Sequence, residues 1–468
     1  MRREETEGKT GRQRAGALDL LHGRILPTLA RLALPIMATA FVQMAYNLTD
    51  MAWIGFLGSS AVAAVGAAGM YTWLAQGVAM IAKMGGQVGL GQSVGAGKHR
   101  EAAAFLRGAL QLAIFLALLY GAVCLLFAPQ LIGYFGLSDA ATFDMAVLYL
   151  RIAGGLILFA FLNLTMTGLY TSVGDSRTPF LANCIGMFGN MLFDPVLIFG
   201  IGPFPRMGVA GAALATVSAQ AVVSLVLFAF RKRSHASVLM KLNLFLPAPA
   251  FIYRSILRIG LPASVQSMVY TLISMVLTRI AATWGDTAVA VQRVGSQIES
   301  IAWMTADGFG SAVNAFMAQN YGARQLSRVR GTYKAAFLLM AGWGLFSMLL
   351  LYFGAGALTG LFLHEEEALR EGVYYLQVIS FGEIFMCVEL MTVGALSGLG
   401  RTGICSAVSM TLTGSRIPIA YALSATTLGI GGVWWAFSLS SMAKGVIFTI
   451  VFLLVLRQVE RKEVPCGN

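Results

Sequence analysis

The chain has 468 residues, of which 57% are hydrophobic and 12% are charged, and its formal net charge is +12. Soluble proteins carry roughly 25% charged residues, so this composition, with a mean hydropathy of +0.74, excludes a secreted domain and a disordered chain and indicates an all-α membrane protein. The first 24 residues are polar and charged, which argues against a cleaved signal peptide.

Twelve long apolar runs follow one another along the chain, each bounded by Gly, Pro or charged residues. A helix of about 20 residues crosses roughly 30 Å of hydrocarbon, so each run predicts one transmembrane helix, numbered 1 to 12. The runs lie at 31–56, 61–84, 104–128, 143–170, 179–200, 208–230, 255–283, 288–313, 331–354, 372–398, 404–427 and 433–456. An even number of spans places both termini on the same side of the membrane.

Basic residues are concentrated in the loops on the side of the termini. That side holds 25 of the 33 Lys and Arg, whereas the opposite loops contain little beyond Arg206, Arg370 and the acidic run 365–367. By the positive-inside rule both termini are cytoplasmic. The net charge therefore reports topology, and we predict a multi-pass protein of the cytoplasmic (inner) membrane with no nucleic-acid partner.

The cysteine and histidine patterns exclude several chemistries. The five Cys are scattered without a C-x-x-C pair, and the four His sit in loops, so neither a disulfide framework nor a zinc site is indicated. The sequence contains no hydrolase triad, metalloprotease helix or phosphate-binding loop that a membrane bundle could assemble. We predict neither an enzyme nor a bound cofactor.

The two halves of the chain are copies of one unit. The aligned stretches are 34–35 with 261–262, 92–96 with 319–323 and, after a slip of one residue, 149–150 with 375–376. Six-helix copies in the same orientation are related by an axis along the membrane normal, and transporters of this type bind substrate between the repeats. The predicted fold is therefore twelve transmembrane helices in two pseudo-symmetric bundles, an N-lobe and a C-lobe, around a central cavity.

The repeat and the charge pattern together divide the chain into five predicted parts. These are a cytoplasmic N-terminal segment at 1–30, the N-lobe at 31–230 with helices 1–6, a cytoplasmic connector at 231–254, the C-lobe at 255–456 with helices 7–12, and a cytoplasmic tail at 457–468. This organisation favours alternating access over a continuous pore.

Several motifs share one order and spacing. They are Pro35 with Asp50, Gly91-Gln92 through Gly95-Ala96, the run 174–179, the run 190–195, the run 319–323 and the run 416–418. Together they resemble the multidrug and toxic compound extrusion (MATE) transporters, from about residue 25 to 456. The resemblance implies a membrane antiporter, driven by H⁺ or Na⁺, that exports organic compounds.

Carboxylates inside a membrane are costly and are candidates for function. Six lie within the predicted helices or are placed by a motif: Asp50, Asp194, Glu299, Asp307, Glu383 and Glu389. By helical rise, Asp50 and Asp194 fall at similar depth in the outer half of the N-lobe. Two such carboxylates cannot both stay ionised without a proton or a cation.

Helix 5 places Asn190 one turn before Asp194 on the same face. With the oxygens of Asn190 and Thr216, the pair of Asp50 and Asp194 forms a candidate H⁺ carrier or Na⁺ cage. The alternative is a structural pair of carboxylates capped by neighbouring hydroxyls and amides. The family resemblance implies that these four residues form the cation-coupling site.

The candidate substrate cavity is lined by polar residues from both copies: Gln43, Tyr46, Asn47, Asn163, Tyr270 and Glu389. Those on helix 1 share the face of Asp50 at helical spacing. The resemblance assigns Gln43, Tyr46 and Asn163 to the polar lining. Methionine and aromatic side chains around a few acids suit amphipathic organic cations.

The second copy lacks the N-lobe acid site, because Leu277 occupies the place of Asp50 and Arg416 that of Asn190. One branch of the family carries its cation carboxylates on helices 7 and 10, and helix 7 has no acid here. The chain therefore resembles the DNA-damage-inducible branch more closely. Glu389 on helix 10 either binds substrate, titrates or pairs with Arg416, and the role of Glu383 stays open.

Two further features concern movement. Lys83 and Asp307 are predicted at similar depth, so a pair between them is a candidate gate on the cytoplasmic side, whereas the role of Glu299 is left open. Pro35 removes a backbone hydrogen bond in helix 1 and is the candidate hinge. Thr39, one turn on, can donate to the Pro35 carbonyl and hold a fixed bend instead.

The sequence is interpreted as a monomeric secondary active transporter, surrounded by membrane lipid, that exchanges H⁺ or Na⁺ for amphipathic, mostly cationic compounds and confers drug resistance. Two alternatives remain. A flippase for lipids or lipid-linked saccharides requires a cavity rich in Arg and Lys. A non-transporting membrane scaffold predicts no uptake of dye under either ion gradient.

Overall fold

The structure is a computed structural model that describes residues 18–137, 139–231, 237–240, 242–363 and 365–463. Most of the predicted N-terminal segment, part of the predicted connector and the end of the predicted tail lie outside this range. Within it, the chain is almost entirely helical and contains no strand. An α-helix satisfies its backbone hydrogen bonds within one segment, which is what a chain of apolar membrane spans requires.

Twelve long helical elements, α1 to α12, follow the twelve predicted runs. Five of the first six are continuous: α1 Ile25–Gly55, α2 Ser59–Gly95, α3 His99–Gly133, α5 Arg177–Phe199 and α6 Val209–Phe230. The broken element α4 consists of Ala140–Tyr149, a π-helical turn Leu150–Gly154 and Leu158–Ser172. The second half has α7 Ala250–Ala282, α8 Asp286–Gly322, α9 Leu326–Phe353, α10 Glu366–Ser380 with Glu383–Gly398, α11 Thr402–Gly414 with Arg416–Ser424, and α12 Gly431–Glu463.

Eight of these helices are long and apolar enough to cross a membrane, and α4 and α10 raise the number to ten when each bent pair counts as one span. The bends are 45° in α4 and 50° in α10. The remaining two elements are α8, which carries four charged side chains between Asp286 and Asp307, and α11, which is interrupted at Ser415. With these two, the predicted twelve-helix, all-α membrane fold is confirmed.

The repeat is visible in the turns that join equivalent helices. Gly58 and Gly285, 227 positions apart, precede α2 and α8 with φ angles of 106° and 105°. Only glycine adopts this backbone region without strain. The same turn is therefore built twice, once in each lobe.

The lobes exchange helix ends on one face, here called the terminal face, which holds the starts of α1 and α7 and the ends of α2 and α8. Leu29 and Leu32 at the start of α1 are fully buried in a core formed mainly by α8, α9, α10 and α12. Reciprocally, Ile252 and Ile256 at the start of α7 are fully buried in a core formed by α2 to α6. The first turns of α1 and α7 therefore pack in the opposite lobe.

Two glutamine amides connect the lobes at the terminal face. Nε2 of Gln92 donates to the Gly398 carbonyl at 2.9 Å, and Nε2 of Gln319 donates to the Ser172 carbonyl at 2.7 Å. The two donors, Gln92 and Gln319, are repeat equivalents, and so are the two acceptors, Ser172 and Gly398. The same hydrogen bond is therefore formed twice, once on each side of the pseudo-twofold axis. A Cβ atom at Gly95 would clash with the Gln319 carbonyl, and one at Gly322 with the Gln92 carbonyl, which explains the glycine in both copies.

The axis itself passes between Gln87 and Asn314, which are repeat equivalents. Nε2 of Gln87 donates to Oδ1 of Asn314 at 3.1 Å. Among the residues that the structure describes, the side-chain hydrogen bonds between α2 and the C-lobe all lie between Met84 and the end of α2. These bonds hold the end of α2 against the C-lobe at the terminal face.

Candidate ion site and central cavity

The polar face of α1 meets α6 inside the N-lobe. The hydroxyl of Tyr46 lies 3.4 Å from the hydroxyl of Thr216, and Nε2 of Gln43 donates to Oδ1 of Asn47 at 3.4 Å. Asn47 is exposed, and Gln43 and Tyr46 are half-buried. The predicted face of α1 therefore extends from the cavity wall to the N-lobe interior.

The candidate coupling residues carry polar atoms that are buried without partners. Asn190 and Asp194 are 0% exposed, and neither their two amide atoms nor their two carboxylate oxygens have a hydrogen-bond partner. Oδ1 of Asp50 is also buried and unpartnered. A buried carboxylate in this state is stable only when a proton or a cation neutralises it.

Tyr149 of α4, which was not among the predicted site residues, lies beside this site. Its side chain is 7% exposed and lies within hydrogen-bonding range of Thr216 and within electrostatic range of Asp50 and Asp194. Tyr149 is the first residue of the aligned stretch 149–150, and its equivalent in the second copy is also a tyrosine, Tyr375. The repeat alignment could therefore have pointed to it. The site thus draws on α1, α4, α5 and α6.

The side chain of Asn163, which is predicted to line the cavity, forms hydrogen bonds within the N-lobe. Its Nδ2 donates to the Gln220 carbonyl at 2.8 Å, and its Oδ1 accepts from the Ser224 hydroxyl at 2.6 Å. Both partners belong to α6, so the amide joins α4 to α6. One N–H and one oxygen lone pair of this half-buried amide remain for other partners.

The chemistry of the donor set fits a monovalent ion. Among the residues that the structure describes, no group of three or more His, Cys, Asp or Glu side chains could hold a metal ion. The candidate set has two carboxylates, one amide and one hydroxyl, from Asp50, Asp194, Asn190 and Thr216. All-oxygen ligands with two negative charges suit H⁺ or Na⁺ rather than a transition metal.

The hinge residues of α1 lie as predicted. Pro35 is inside α1, and the hydroxyl of Thr39 donates to the Pro35 carbonyl at 2.9 Å. The predicted back-bond is confirmed. The carbonyl that the proline ring leaves without its helical donor is that of Arg31, one turn earlier.

The C-lobe differs, because its buried acid is paired. Nζ of Lys444 lies 2.9 Å from Oε1 of Glu389, and both side chains are 6% exposed. Glu389 therefore pairs with Lys444 of α12 rather than with Arg416. Arg416 instead donates to the Ser441 hydroxyl at 3.2 Å and stacks over the Phe437 ring at 5.0 Å.

Two more acids surround this pair. Glu299 of α8 is half-buried and lies in electrostatic range of Arg416 and Lys444. Glu383 of α10 is 1% exposed, and neither of its carboxylate oxygens has a hydrogen-bond partner. Tyr375, the repeat equivalent of the N-lobe tyrosine, is in electrostatic range of both acids.

The two residues of the candidate gate, Lys83 and Asp307, belong to different lobes. Lys83 of α2 and Asp307 of α8 lie within electrostatic range of each other, yet among the described residues they form no ion pair within 4.0 Å. Asp307 is exposed on the cavity side. Tyr270 of α7 is 46% exposed, in keeping with a cavity-facing position.

Comparisons with known proteins agree with this architecture. The MatE family model matches residues 35–196 and 262–422, one match in each half of the chain. The probable multidrug resistance protein NorM of Thermotoga maritima is 25% identical over 410 residues, which cover 87% of each chain. The FAD transporter of Shewanella oneidensis is 26% identical over 442 residues, covering 93% of this chain and 95% of that protein.

Solved structures share the fold. The outward-facing conformation of a multidrug resistance MATE family transporter of the MOP superfamily superimposes with a TM-score of 0.88. The two chains are 23% identical, and the superposition covers 95% of this chain and 99% of that one. At this identity the comparison establishes the common fold alone.

Proposed function

Because the chain belongs to the MatE family, we propose that it is a secondary active multidrug efflux transporter. It exchanges H⁺ or Na⁺ for amphipathic, mostly cationic organic compounds by alternating access. It acts as a monomer in the cytoplasmic membrane, with both termini in the cytoplasm and no bound cofactor. The probable multidrug resistance proteins among its relatives support this assignment.

The observation that carries the proposal is the set of unpartnered buried groups in the N-lobe. Asp50, Asn190 and Asp194 together bury five polar atoms without a hydrogen-bond partner, and among the residues described near them no Lys or Arg forms an ion pair with either carboxylate. An uncompensated pair of carboxylates in a low-dielectric interior binds a cation or a proton. The Asn190 amide lies within interaction range of the Asp194 carboxylate but carries no positive charge, so it does not compensate the pair.

The cycle follows from this charge balance. We place the opening of the cavity at the face opposite the terminal face and assign that face to the outside. An ion that enters from outside neutralises Asp50 and Asp194, and the α1 face that carries Asp50 then repacks against α6. The cavity loses negative charge, its affinity for a bound cation falls, and the substrate leaves outward. Rocking of the N-lobe (31–230) against the C-lobe (255–456) resets the site.

We further propose that the chain belongs to the DNA-damage-inducible branch of the family, and the position of the acids supports this. Coupling lies in the N-lobe, since Leu277 replaces the α1 acid in the second copy. Glu389, the acid of α10 that faces Asn163 in the repeat alignment, is already neutralised by Lys444. We therefore place the ion site in the N-lobe and assign Tyr270 and Glu299 of the C-lobe to the wall of the cavity.

Dye transport into proteoliposomes tests the proposal. The purified protein is reconstituted, and accumulation of a fluorescent lipophilic cation is followed under a H⁺ gradient alone and under a Na⁺ gradient alone. We expect accumulation under one of the two, abolished by the matching ionophore. That result establishes transport and identifies the ion in one experiment.

Other outcomes of the same assay would contradict the proposal. Absence of accumulation under both gradients indicates a scaffold, and movement of a fluorescent lipid headgroup without dye transport indicates a flippase. FAD, which the Shewanella oneidensis relative is named for transporting, serves as the anionic probe. Transport of FAD but not of the cation would overturn the substrate class while retaining the antiporter.

A further inference from the structure

A short segment ahead of α1 contacts both lobes at the terminal face. Residues 18–24, here called the strap, form a turn in which the Asp19 carboxylate accepts from the backbone N–H groups of Leu21 and His22 at 3.0 Å. The strap then enters α1 at Ile25. Its position between the lobes is unlike that of a solvated N-terminal segment.

On the N-lobe side, the strap binds the loop between α4 and α5. The backbone N–H of Leu18 donates to the Gly174 carbonyl at 3.1 Å. A Cβ atom at Gly174 would lie 2.6 Å from the Leu18 carbonyl oxygen, so the loop approaches as closely as a glycine allows. The following residue, Asp175, accepts from the Thr178 N–H at 3.0 Å and fixes this loop at the start of α5.

On the C-lobe side, the strap sits in a polar socket. Nη2 of Arg328 donates to the Leu20 carbonyl at 3.2 Å and to the Gly23 carbonyl at 2.8 Å. Nδ2 of Asn320 donates to the Leu20 carbonyl at 3.1 Å, and Nε of Arg328 donates to Oδ1 of Asn320 at 3.0 Å. Asn320 is 0% exposed, and Leu20 is 1% exposed in the C-lobe core.

These contacts would hold the terminal face shut. Opening this face separates the N-lobe loop at Gly174 from the C-lobe socket, so the strap cannot keep both sets of bonds. Among the described residues, the side chains of Arg328 and Asn320 contact only the strap, each other and Phe316 through polar or cation–π interactions. A buried donor without an acceptor is costly. Release of the strap therefore accompanies any opening.

The repeat equivalent of the strap is bound differently. It lies at 245–251, directly before and into α7, where Nε2 of Gln111 donates to the Leu244 and Leu246 carbonyls at 2.7 and 3.0 Å. The residues equivalent to the socket are Ser93 and Glu101, which supply no guanidinium. The arginine latch is thus present at one of the two equivalent positions.

We propose that the strap is a latch that stabilises the closed terminal face, with Arg328 as its positioning residue. The inference rests on the alternating access proposed above. Loss of the latch shifts the lobes toward the state that is open at the terminal face. It leaves the ion site of the N-lobe intact, because no strap contact involves that site.

Distance measurements by double electron–electron resonance test the latch without substrate or gradient. Spin labels are attached through Arg177→Cys and Arg401→Cys, two exposed positions in terminal-face loops of the two lobes, in a background without the native cysteines. For Arg328→Ala we expect the long-distance population to rise about tenfold, as for the loss of hydrogen bonds from a charged donor. The matched control Arg330→Ala, an exposed arginine that pairs with Glu460 at 2.6 Å, should match the parent.

A second variant acts from the strap side. A Cβ atom at Gly23 would lie 2.6 Å from both the Asp19 carbonyl and the Thr28 hydroxyl, so Gly23→Ala deforms the turn while both socket side chains remain. It should raise the same population. If Arg328→Ala and Gly23→Ala both reproduce the parental distances, the latch is overturned.

A wedge variant separates this failure from failure of the proposed function. Gly95→Trp cannot fit against Gln319 and must force the terminal face open if the lobes rock at all. An open wedge variant with unchanged latch variants rejects the strap alone. A wedge variant with parental distances rejects alternating access, and the latch with it.

Discussion

The two lobes descend from one repeated pattern but treat buried charge in opposite ways. In the N-lobe, Asp50 and Asp194 have no basic partner within ion-pair distance, and Asn190 is unpartnered. In the C-lobe, Glu389 is paired with Lys444 at 2.9 Å, and Arg416 replaces the N-lobe asparagine. The C-lobe therefore supplies a basic counter-charge for Glu389, whereas its Glu383, like the two N-lobe aspartates, is buried without a hydrogen-bond partner.

This difference between paired and unpaired carboxylates indicates how the two copies of a duplicated bundle can take on different roles. A carboxylate with a fixed basic partner is neutralised permanently, so it contributes little to a cycle that depends on changing charge. A carboxylate without a partner changes its charge with the ion that arrives. Coupling is expected where counter-charge is missing, and rigidity where it is built in.

The largest effect is expected from breaking the ion pair between Glu389 and Lys444 in the C-lobe. Lys444→Met leaves Glu389 buried and unpaired and should lower the free energy of unfolding by about 3–5 kcal/mol. Thermal unfolding in detergent measures this, with the exposed Lys334→Met as control. The double variant Glu389→Gln/Lys444→Met should recover most of the loss. A Lys444→Met protein as stable as the control would contradict a charge-compensated C-lobe.

The next largest effect is expected from removing one of the unpaired carboxylates of the N-lobe. Asp50→Asn removes one of the two uncompensated charges and should reduce gradient-driven dye transport about 100-fold or more, roughly 2.7 kcal/mol, while the protein still reaches the membrane. Asp144→Asn, an exposed acid at the start of α4, is the matched control. Wild-type transport by Asp50→Asn would remove the basis of the coupling proposal.

A pair of equivalent tyrosines sharpens the comparison. Tyr149→Phe removes the hydroxyl near Thr216 and the N-lobe acids and should lower transport about tenfold, in line with about 1.5 kcal/mol for a hydrogen bond to a charged group. Tyr375→Phe, its repeat equivalent in the C-lobe, should change transport less than about twofold. The ion concentration that gives half-maximal transport is the measurement. Equal effects in both variants would show that coupling is shared between the lobes.

The smallest effect concerns the hinge of α1. Thr39→Val removes the hydroxyl that donates to the Pro35 carbonyl at 2.9 Å and should change the transport rate about twofold, as for the loss of about 0.5 kcal/mol. Thr39→Ser keeps the donor and should behave as wild type. Identical rates in the valine and serine variants would mean that the back-bond has no part in movement of α1.

Hydropathy predicted all twelve helices but shortened several of them. Predicted helix 2 ended at 84 and predicted helix 8 at 313, whereas α2 continues to Gly95 and α8 to Gly322. The additional turns carry Gln87, Gln92 and Gln319, which are polar and lower the local hydropathy. They are helical because their amides are satisfied by the opposite lobe, and hydropathy contains no information about such a contact.

The candidate site was predictable where helical spacing places residues together and unpredictable where distant helices meet. Asn190 and Asp194 are one turn apart, so their common face follows from the sequence. Lys444 lies 55 positions after Glu389 on a different helix, and no periodicity connects them. The packing of the start of α1 in the C-lobe escaped prediction for the same reason.

Gln87 and Asn314 have one further consequence. In a symmetric dimer of separate six-helix subunits, a side chain on the axis meets its own copy, so it must be compatible with itself. Joining both units in one polypeptide removes that requirement, and here an amide donor on one side faces a different amide acceptor on the other. Fusion frees every pair of equivalent positions in the same way, which is the condition under which one half can retain an ion site that the other half has replaced.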